Sequence, residues 1–284
     1  MKLSIITINR NNAKGLQKTL ASVKAQTSTD FEHIIIDGAS TDDSVNVIKT
    51  YADECSDNVR WISEPDNGIY NAMNKGIRMA KGDYIQILNS GDCLAKEDVI
   101  QRMLSELQHQ NEMVKKPIAI LYGNMLKQMP DRIKRDRCFN GQNPTFLGFY
   151  TGTLNHSPAY IRRDLFDQYG FYDETLKIVS DWKWYMQAII LGGEIPINTD
   201  IDVTIFDMTG ISETNHDLCK QERKEVLKSM FPSTILADYE RWAFPIDQMK
   251  RLQRHKWAYK LVWFLERCLF KWEKWIINKE QKYL

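Results

Sequence analysis

The sequence has no Cys-x-x-Cys pair. Its five cysteines, Cys55, Cys93, Cys138, Cys219 and Cys268, are scattered and odd in number. That pattern excludes a disulfide framework, points away from a zinc site and fits a reducing compartment. Charge of one sign is also lacking. The formal net charge is +1 over 284 residues, so nucleic-acid binding gains no support. With 43% hydrophobic residues, the chain is not of the disordered class either. No apolar run reaches the roughly 18 uncharged residues of a membrane span. The opening "MKLSIITINRNN" is too short an apolar stretch for a signal peptide. A cytoplasmic protein is expected. No GxGxxG follows the first apolar run, which disfavours a nicotinamide-dinucleotide fold.

What is present is a regular alternation over the first third of the chain. "LSIITI", "HIIIDG", "VRWISE" and "YIQILN" are continuous apolar runs. Between them lie segments with helical spacing, such as Leu16, Leu20 and Val23, or Ile69, Met73, Ile77 and Ala80. Continuous rather than alternating strands predict a parallel sheet covered on both faces. The fold class is therefore α/β. Ligands of such sheets bind at the carboxyl ends of the strands. Here four successive ends are polar: Asn9 to Asn11, Asp37 to Ser40, Glu64 to Asn67, and Asn89 to Asp92. Asp, Asn and Gly also form ordinary turns, but four in succession point to one cleft. Further on, "PIAILYG" and "DVTIFDMTGIS" read as strands. "RRDLFDQYG", "SDWKWYMQAIILGG" and Asn215 to Phe231 read as helices, with Ser180 as an N-cap. Phe139 to His156 reads as a long loop.

The stretches "TINRN", "IIDGASTDDS", "SEPDNGIYNAMNKGI", "GDYIQILNSGD" and "SDWKWY" follow one another in order and spacing. In this the chain resembles family 2 glycosyltransferases, and most closely the branch that builds bacterial surface polysaccharides. The resemblance is strong from Lys2 to about Cys93, moderate to about Ser212 and absent beyond. It implies a GT-A fold: a Rossmann-like, mostly parallel sheet flanked by helices. It also implies inverting transfer of a sugar from a nucleoside diphosphate, with UDP favoured, to a hydroxyl of a glycan or lipid-linked acceptor in capsule or lipopolysaccharide synthesis.

The resemblance also assigns roles. Asp37 matches the family's acceptor for a base N–H. Asn9 and the backbone around Thr7 flank the base, and Asp66 contacts the nucleotide. Each has a plainer reading as a turn or capping residue. Lys75 is a candidate phosphate contact and Asn74 its neighbour. The turn "ILNSGD" departs from the family, whose members commonly read Asp-Ser-Asp-Asp. Asn89 and Gly91 replace two acids, and Asp92 alone remains as the metal ligand. Mg²⁺ or Mn²⁺ takes about six oxygens and accepts one or two carboxylates beside phosphates and water, so one acid is compatible with a metal. Asn89 then contacts the ribose or a water, and Gly91 lets the backbone approach the ligand. Asp181 in "SDWKW" matches the catalytic base, with Asp173 a weaker candidate. His156 and Trp182 are candidates for the acceptor side, as is Trp184. Two other readings stay open, a nucleotidyltransferase and a non-catalytic nucleotide-sugar-binding protein.

Lys250 to Leu284 differs from the rest, with ten Lys/Arg against three Glu. At about 100° per residue, Trp257, Leu261, Phe264, Leu265, Cys268, Trp272, Trp275 and Ile276 share one helical face, flanked by lysines. A basic, tryptophan-rich helix fits an anionic bilayer surface, or packing on its own domain or a partner subunit. The expected organisation is a nucleotide-sugar-binding half over 1–112, an acceptor-binding and catalytic half over 113–215, and a helical extension over 216–284 that holds the protein on the inner face of the membrane.

Overall fold

The first nine residues set the pattern for the sheet. All seven positions of β1 (Leu3–Asn9) are buried, as expected of a strand covered on both faces. In the computed structural model, which describes residues 2–55, 58–129, 131–208 and 214–280, β1 pairs in parallel with β2 (Phe31–Asp37) and β4 (Tyr84–Ile87). β2 pairs in parallel with β3 (Val59–Ser63). The register aligns Asn9 with Asp37 and Asp37 with Ser63. Three polar side chains therefore stand in one row at the carboxyl edge.

The other half of the sheet is mixed. β8 (Ala159–Arg162) inserts antiparallel between β4 and β6 (Ile120–Gln128), and β9 (Pro196–Phe206) then pairs in parallel with β6. β8 and two further short strands were not evident in the sequence. β5 (Cys93–Leu94) pairs antiparallel with the end of β9, and β7 (Ile133–Asp136) with β6. The full order is β3-β2-β1-β4-β8-β6-β9-β5, with β7 on β6.

Helices cover both faces. α1 (Ala13–Lys24) and α2 (Ser44–Glu54) pack Leu16, Leu20, Ile48 and Tyr51 on Ile35 of the sheet. α3 (Ile69–Met79) buries Met73 and Ile77. Its Gly76 lies so close to Ile6 that a Cβ there would collide with that side chain. α4 (Val99–Val114) brings Val99, Met103 and Leu107 to the larger core, with Leu3, Ile5 and Tyr160. Truncating one such side chain to Ala costs roughly 2–5 kcal/mol.

Three expectations are corrected. The segment Phe139 to His156 is not all loop: Thr145 caps α5 (Phe146–Thr151), its hydroxyl accepting from the Gly148 N–H at 3.1 Å. α6 (Leu165–Tyr169) is as expected. In α7 (Ser180–Tyr185), which continues as a π-helical turn over Met186–Leu191, the N-cap is Val179, and the Ser180 hydroxyl is buried without a partner. Finally, α8 (His216–Met230) does not belong to the C-terminal extension. The chain divides into Met1–Ser229 and Met230–Leu284, because α8 buries Glu222 and Val226 and Glu222 bonds to the segment before α7.

The C-terminal unit is two helices rather than one, α9 (Ser233–Arg254) and α10 (Lys256–Glu280). His255 breaks them with non-helical backbone (φ −105°, ψ 88°). On α10, Trp257, Leu261, Phe264, Leu265 and Trp272 are all more than half exposed. The side chains of Trp275 and Ile276 lie outside the described residues, as do residues 281–284. No described helix is long and apolar enough to cross a membrane.

Candidate active site

At the end of β2, the Asp37 carboxylate is fully buried. It accepts from Asn9 Nδ2 at 2.9 Å, Ser40 Oγ at 2.6 Å, the Ser40 N–H at 3.0 Å and Ser63 Oγ at 2.7 Å. Burial pushes its pKa up, but the bonds from Ser40, Ser63 and Asn9 outweigh that and hold it below the usual value. Asp37 thus fixes the polar row. Beside it opens a cavity of about 330 Å³ lined by Asn9, Arg10, Asp66, Gly68, Ile69, Asn89 and Ser90. Asp66 faces Arg10 at 3.7 Å and accepts from the Gly68 N–H. Two amide oxygens here, Asn9 Oδ1 and Asn89 Oδ1, are buried without a partner, so they are acceptors available to a ligand.

The turn "ILNSGD" forms the wall between this cavity and a second, of about 400 Å³, since Asn89 and Ser90 line both. α1 holds the turn. The Asn12 amide donates to the Ser90 carbonyl at 3.2 Å, and the Thr19 hydroxyl donates to the Asp92 carbonyl at 2.7 Å while accepting from the Gly91 N–H at 2.9 Å. Gly91 has φ +107°, a conformation L side chains rarely adopt. A Cβ at this position would also collide with the Asp207 carboxylate. The acid absent from position 91 is thus answered by one from the end of β9, and the Asp207 N–H donates to Asp92 Oδ1 at 2.8 Å. Asp92 is 2% exposed and its Oδ2 has no partner. Burial pushes its pKa up to about 7. An orphaned buried carboxylate oxygen beside a second acid fits a cation. Among the described residues, no three acids, histidines or cysteines gather to hold one unaided.

On the far wall stands Asp181 in the first turn of α7. Its Oδ1 accepts from the Tyr70 hydroxyl at 3.1 Å and from the Trp182 N–H at 2.9 Å. Its Oδ2 lies 3.1 Å from His156 Nδ1, and His156 Nε2 lies 3.2 Å from the Asn89 amide nitrogen. A carboxylate only accepts, so Nδ1 carries the proton. Burial opposes the ionised form of Asp181, but the hydrogen bond and charge of His156, with those from Trp182 and Tyr70, prevail and lower its pKa. Burial likewise presses down on His156, and Asp181 outweighs it, so the imidazole pKa is raised. The site therefore presents an ionised carboxylate with a lone pair left on Oδ2.

Several predicted residues lie elsewhere. The Thr7 side chain is buried against His33 Nε2 at 2.9 Å and lines neither cavity. β pairing on both edges of β1 turns its hydroxyl into the core. Asp173 accepts from Lys183 at 2.6 Å. Asn74 is buried and ties down Tyr172, and Lys75 pairs with Glu64 at 2.8 Å. Trp184 is core, stacked on Phe166 at 4.7 Å. Trp182 is buried yet lines the larger cavity, where Arg223 covers its ring. Tyr70, Asp207, Glu222 and Arg223 were missed. Tyr70 lay inside the quoted "GIY" stretch, and Asp207 at a polar strand end like the four that were noticed. Nothing in the charged pattern of α8 distinguished Glu222 or Arg223.

The profile of glycosyl transferase family 2 matches residues 4–170. The chain belongs to this family. An uncharacterized glycosyltransferase of Mycobacterium tuberculosis is 32% identical over 74% of this chain and 76% of its own length. A PGL/p-HBAD biosynthesis glycosyltransferase of the same organism is 27% identical over 82% and 85%. Among solved structures, Staphylococcus aureus TarS 1–349 in complex with UDP-GlcNAc is similar with a TM-score of 0.61 at 18% identity, over 82% of this chain and 69% of that one. In the UDP complex this chain covers 60% of the TarS chain, and it covers 41% of the longer TarS structure. A mannosyltransferase of Pyrobaculum calidifontis in complex with GDP-Man and Mn²⁺ gives a TM-score of 0.57 at 16% identity, over 75% and 58%. At these identities the structures show the fold, which is GT-A. The enzyme is a glycosyltransferase.

Proposed function

We propose that the enzyme moves a sugar, with inversion, from a nucleoside-diphosphate sugar to the hydroxyl of a glycan or lipid-linked saccharide in bacterial surface-polysaccharide synthesis. The observation that carries this reading is the pair of cavities joined at Asn89 and Ser90. One offers unpartnered amide oxygens to a nucleoside. The other holds Asp181, an ionised carboxylate of restricted orientation.

A single base on the face opposite the leaving group is what inversion requires. The acceptor hydroxyl becomes far more acidic as its oxygen bonds to the anomeric carbon. A carboxylate of low pKa therefore suffices to take its proton, with Asp181 as the base. His156 and Tyr70 keep Oδ2 turned to the cavity. Asn9, Asp66 and Asn89 hold the base and ribose, with Asp37 acting through Asn9, Ser40 and Ser63. Asp92 and Asp207 would hold Mg²⁺ or Mn²⁺ together with the diphosphate. That ion would supply positive charge to the departing group. UDP is favoured as the nucleotide, in keeping with the TarS complexes, while the GDP-Man complex of the Pyrobaculum enzyme makes GDP the alternative to test. The exposed aromatic and basic residues of α10 suit a peripheral seat on an anionic membrane.

The test is calorimetric binding of UDP and GDP, each with and without Mn²⁺, to the wild-type protein and Asp92→Ala. Metal-dependent binding of one nucleotide that the substitution abolishes is the expected result. Tight binding indifferent to both metal and Asp92 would overturn the donor site.

A further inference from the structure

α8 sends two consecutive side chains to the catalytic wall, and they do opposite things. The Glu222 carboxylate is buried and accepts three backbone N–H groups, from Lys177 at 2.7 Å, Ile178 at 2.9 Å and Val179 at 3.2 Å. It is thereby spent on the segment that leads into Asp181. Its neighbour Arg223 has no such engagement. The guanidinium lies 4.8 Å from the Trp182 ring centroid, and Nη1 donates to the Gly152 carbonyl at 3.2 Å. Nε is buried with no partner. Among the described residues, no carboxylate is paired with it.

A guanidinium has five N–H donors, and here, among the described residues, one has an acceptor. It is weakly hydrated, placed over an aromatic ring and pinned at one nitrogen. Such a group is preorganised to meet two oxygens of an oxyanion such as a phosphate. Among the described residues no side chain supplies that oxyanion. Asp181, on the same cavity wall, already accepts from Tyr70, Trp182 and His156. Glu222 is occupied by backbone. Asp92 and Asp207 belong to the turn after β4 and the end of β9, where a cation and the donor diphosphate are expected. Arg223 instead covers Trp182, the residue beside the base, and Lys177 lines the same cavity. Arg223 and Lys177 therefore line the cavity of the proposed base, where the acceptor hydroxyl would have to bind.

We infer that Arg223, assisted by Lys177, binds a phosphate-type oxyanion carried by the acceptor close to its reacting hydroxyl. The inference rests on the transferase reading above and names the acceptor class. A phosphate next to the accepting sugar occurs in lipid phosphosugars and in soluble sugar phosphates alike.

The protein is first saturated with UDP and Mn²⁺, then titrated with glucose 1-phosphate, with glucose as the neutral control. Glucose 1-phosphate binds and glucose does not. Arg223→Gln weakens that binding about tenfold or more, leaves UDP affinity within about twofold, and Arg223→Lys recovers part of the loss. Decyl phosphate in place of glucose 1-phosphate separates the sources. Markedly tighter binding, still dependent on Arg223, assigns the oxyanion to a lipid, and equal binding assigns it to a soluble sugar. Equal binding of glucose and glucose 1-phosphate by the wild-type protein would overturn the inference. So would a loss of UDP affinity in Arg223→Gln with glucose 1-phosphate binding unchanged, since Arg223 would then serve the donor. If the wild-type protein bound neither UDP nor GDP, the transferase reading would fall first and take the inference with it.

Discussion

His156 stands between Asp181 and Asn89, with Nδ1 3.1 Å from the carboxylate and Nε2 3.2 Å from the amide nitrogen. One imidazole thus joins the proposed base to the turn that walls the proposed donor cavity. Asp181→Asn should lower kcat by about 10²–10⁴-fold with nucleotide affinity unchanged. His156→Gln should keep most of the binding and shift the pH profile. His156 is the largest of the influences that lower the Asp181 pKa. Without its charge that pKa rises, and the acid limb of kcat/KM moves to higher pH. An acid limb unmoved by the substitution would mean that another group is the base.

Gly91 and Asp207 form the second such relationship, and they predict a double effect. Gly91→Ala strains a backbone at φ +107° and crowds the Asp207 carboxylate. A loss of about 1–2 kcal/mol of stability is expected from the backbone conformation, read by denaturant unfolding. The Mn²⁺ dependence of nucleotide binding should fall with it. Asp207→Asn should reduce the metal dependence while leaving Gly91 unstrained, which separates the two causes.

The Asp37 carboxylate predicts a cost in stability ahead of any effect on binding. Asp37→Ala strands the donors of Asn9, Ser40 and Ser63. Each buried unpaired group costs roughly 1–3 kcal/mol, so unfolding should be visibly easier before any ligand is added. A variant of unchanged stability with weakened UDP binding would instead make Asp37 a direct nucleotide ligand.

His33 gives a prediction for acid. Burial lowers its pKa from 6.5 to about 3, and it bridges Thr7 and Tyr51 at 2.9 Å each. The unfolded chain binds the proton first, so this contribution is complete above about pH 6.5 and is lost progressively as pH falls toward 3. His33→Gln should flatten the stability profile over that window, as measured by denaturant midpoints at successive pH values.

α10 predicts salt-sensitive association with vesicles. Its exposed Trp257, Leu261, Phe264 and Trp272 should carry the protein onto phosphatidylserine-containing vesicles and not onto neutral ones. Raising ionic strength weakens the electrostatic part. Replacing Trp257 and Trp272 together by Ala should release the protein. Equal binding to neutral vesicles would remove the charge argument.

The first half of the molecule was legible because its strands are buried on both faces and its helices follow a clean apolar spacing. β1 to β4 and α1 to α3 could be read directly from Leu3 to Ile87. Asp92, Asn89 and Asp181 stood out for the same reason: each marks the end of a strand or the start of a helix. The second half was less open. The two-residue strand β5 and the strongly polar β7 carry no apolar run of their own and exist through pairing with β9 and β6. Asp207 acquires meaning only once β9 returns beside Gly91. Glu222 and Arg223 sit on a helix whose sequence is dominated by charge, and only the fold reveals which charges turn inward. The Thr7 side chain turns to His33, so only the backbone around Thr7 stays a candidate for the nucleotide base.

The bond between Asp92 and Asp207 spans 115 residues of chain. The ribosome adds about 5–20 residues per second. On the order of ten seconds therefore separate the appearance of the two acids. In that interval the parallel strands of the donor half can pair, while the second acid, His156 and Asp181 are still to be synthesised. The turn beside both cavities therefore takes its final form only after the last strand of the sheet has been made, because β5 pairs with β9 and Asp92 bonds to the residue that follows β9.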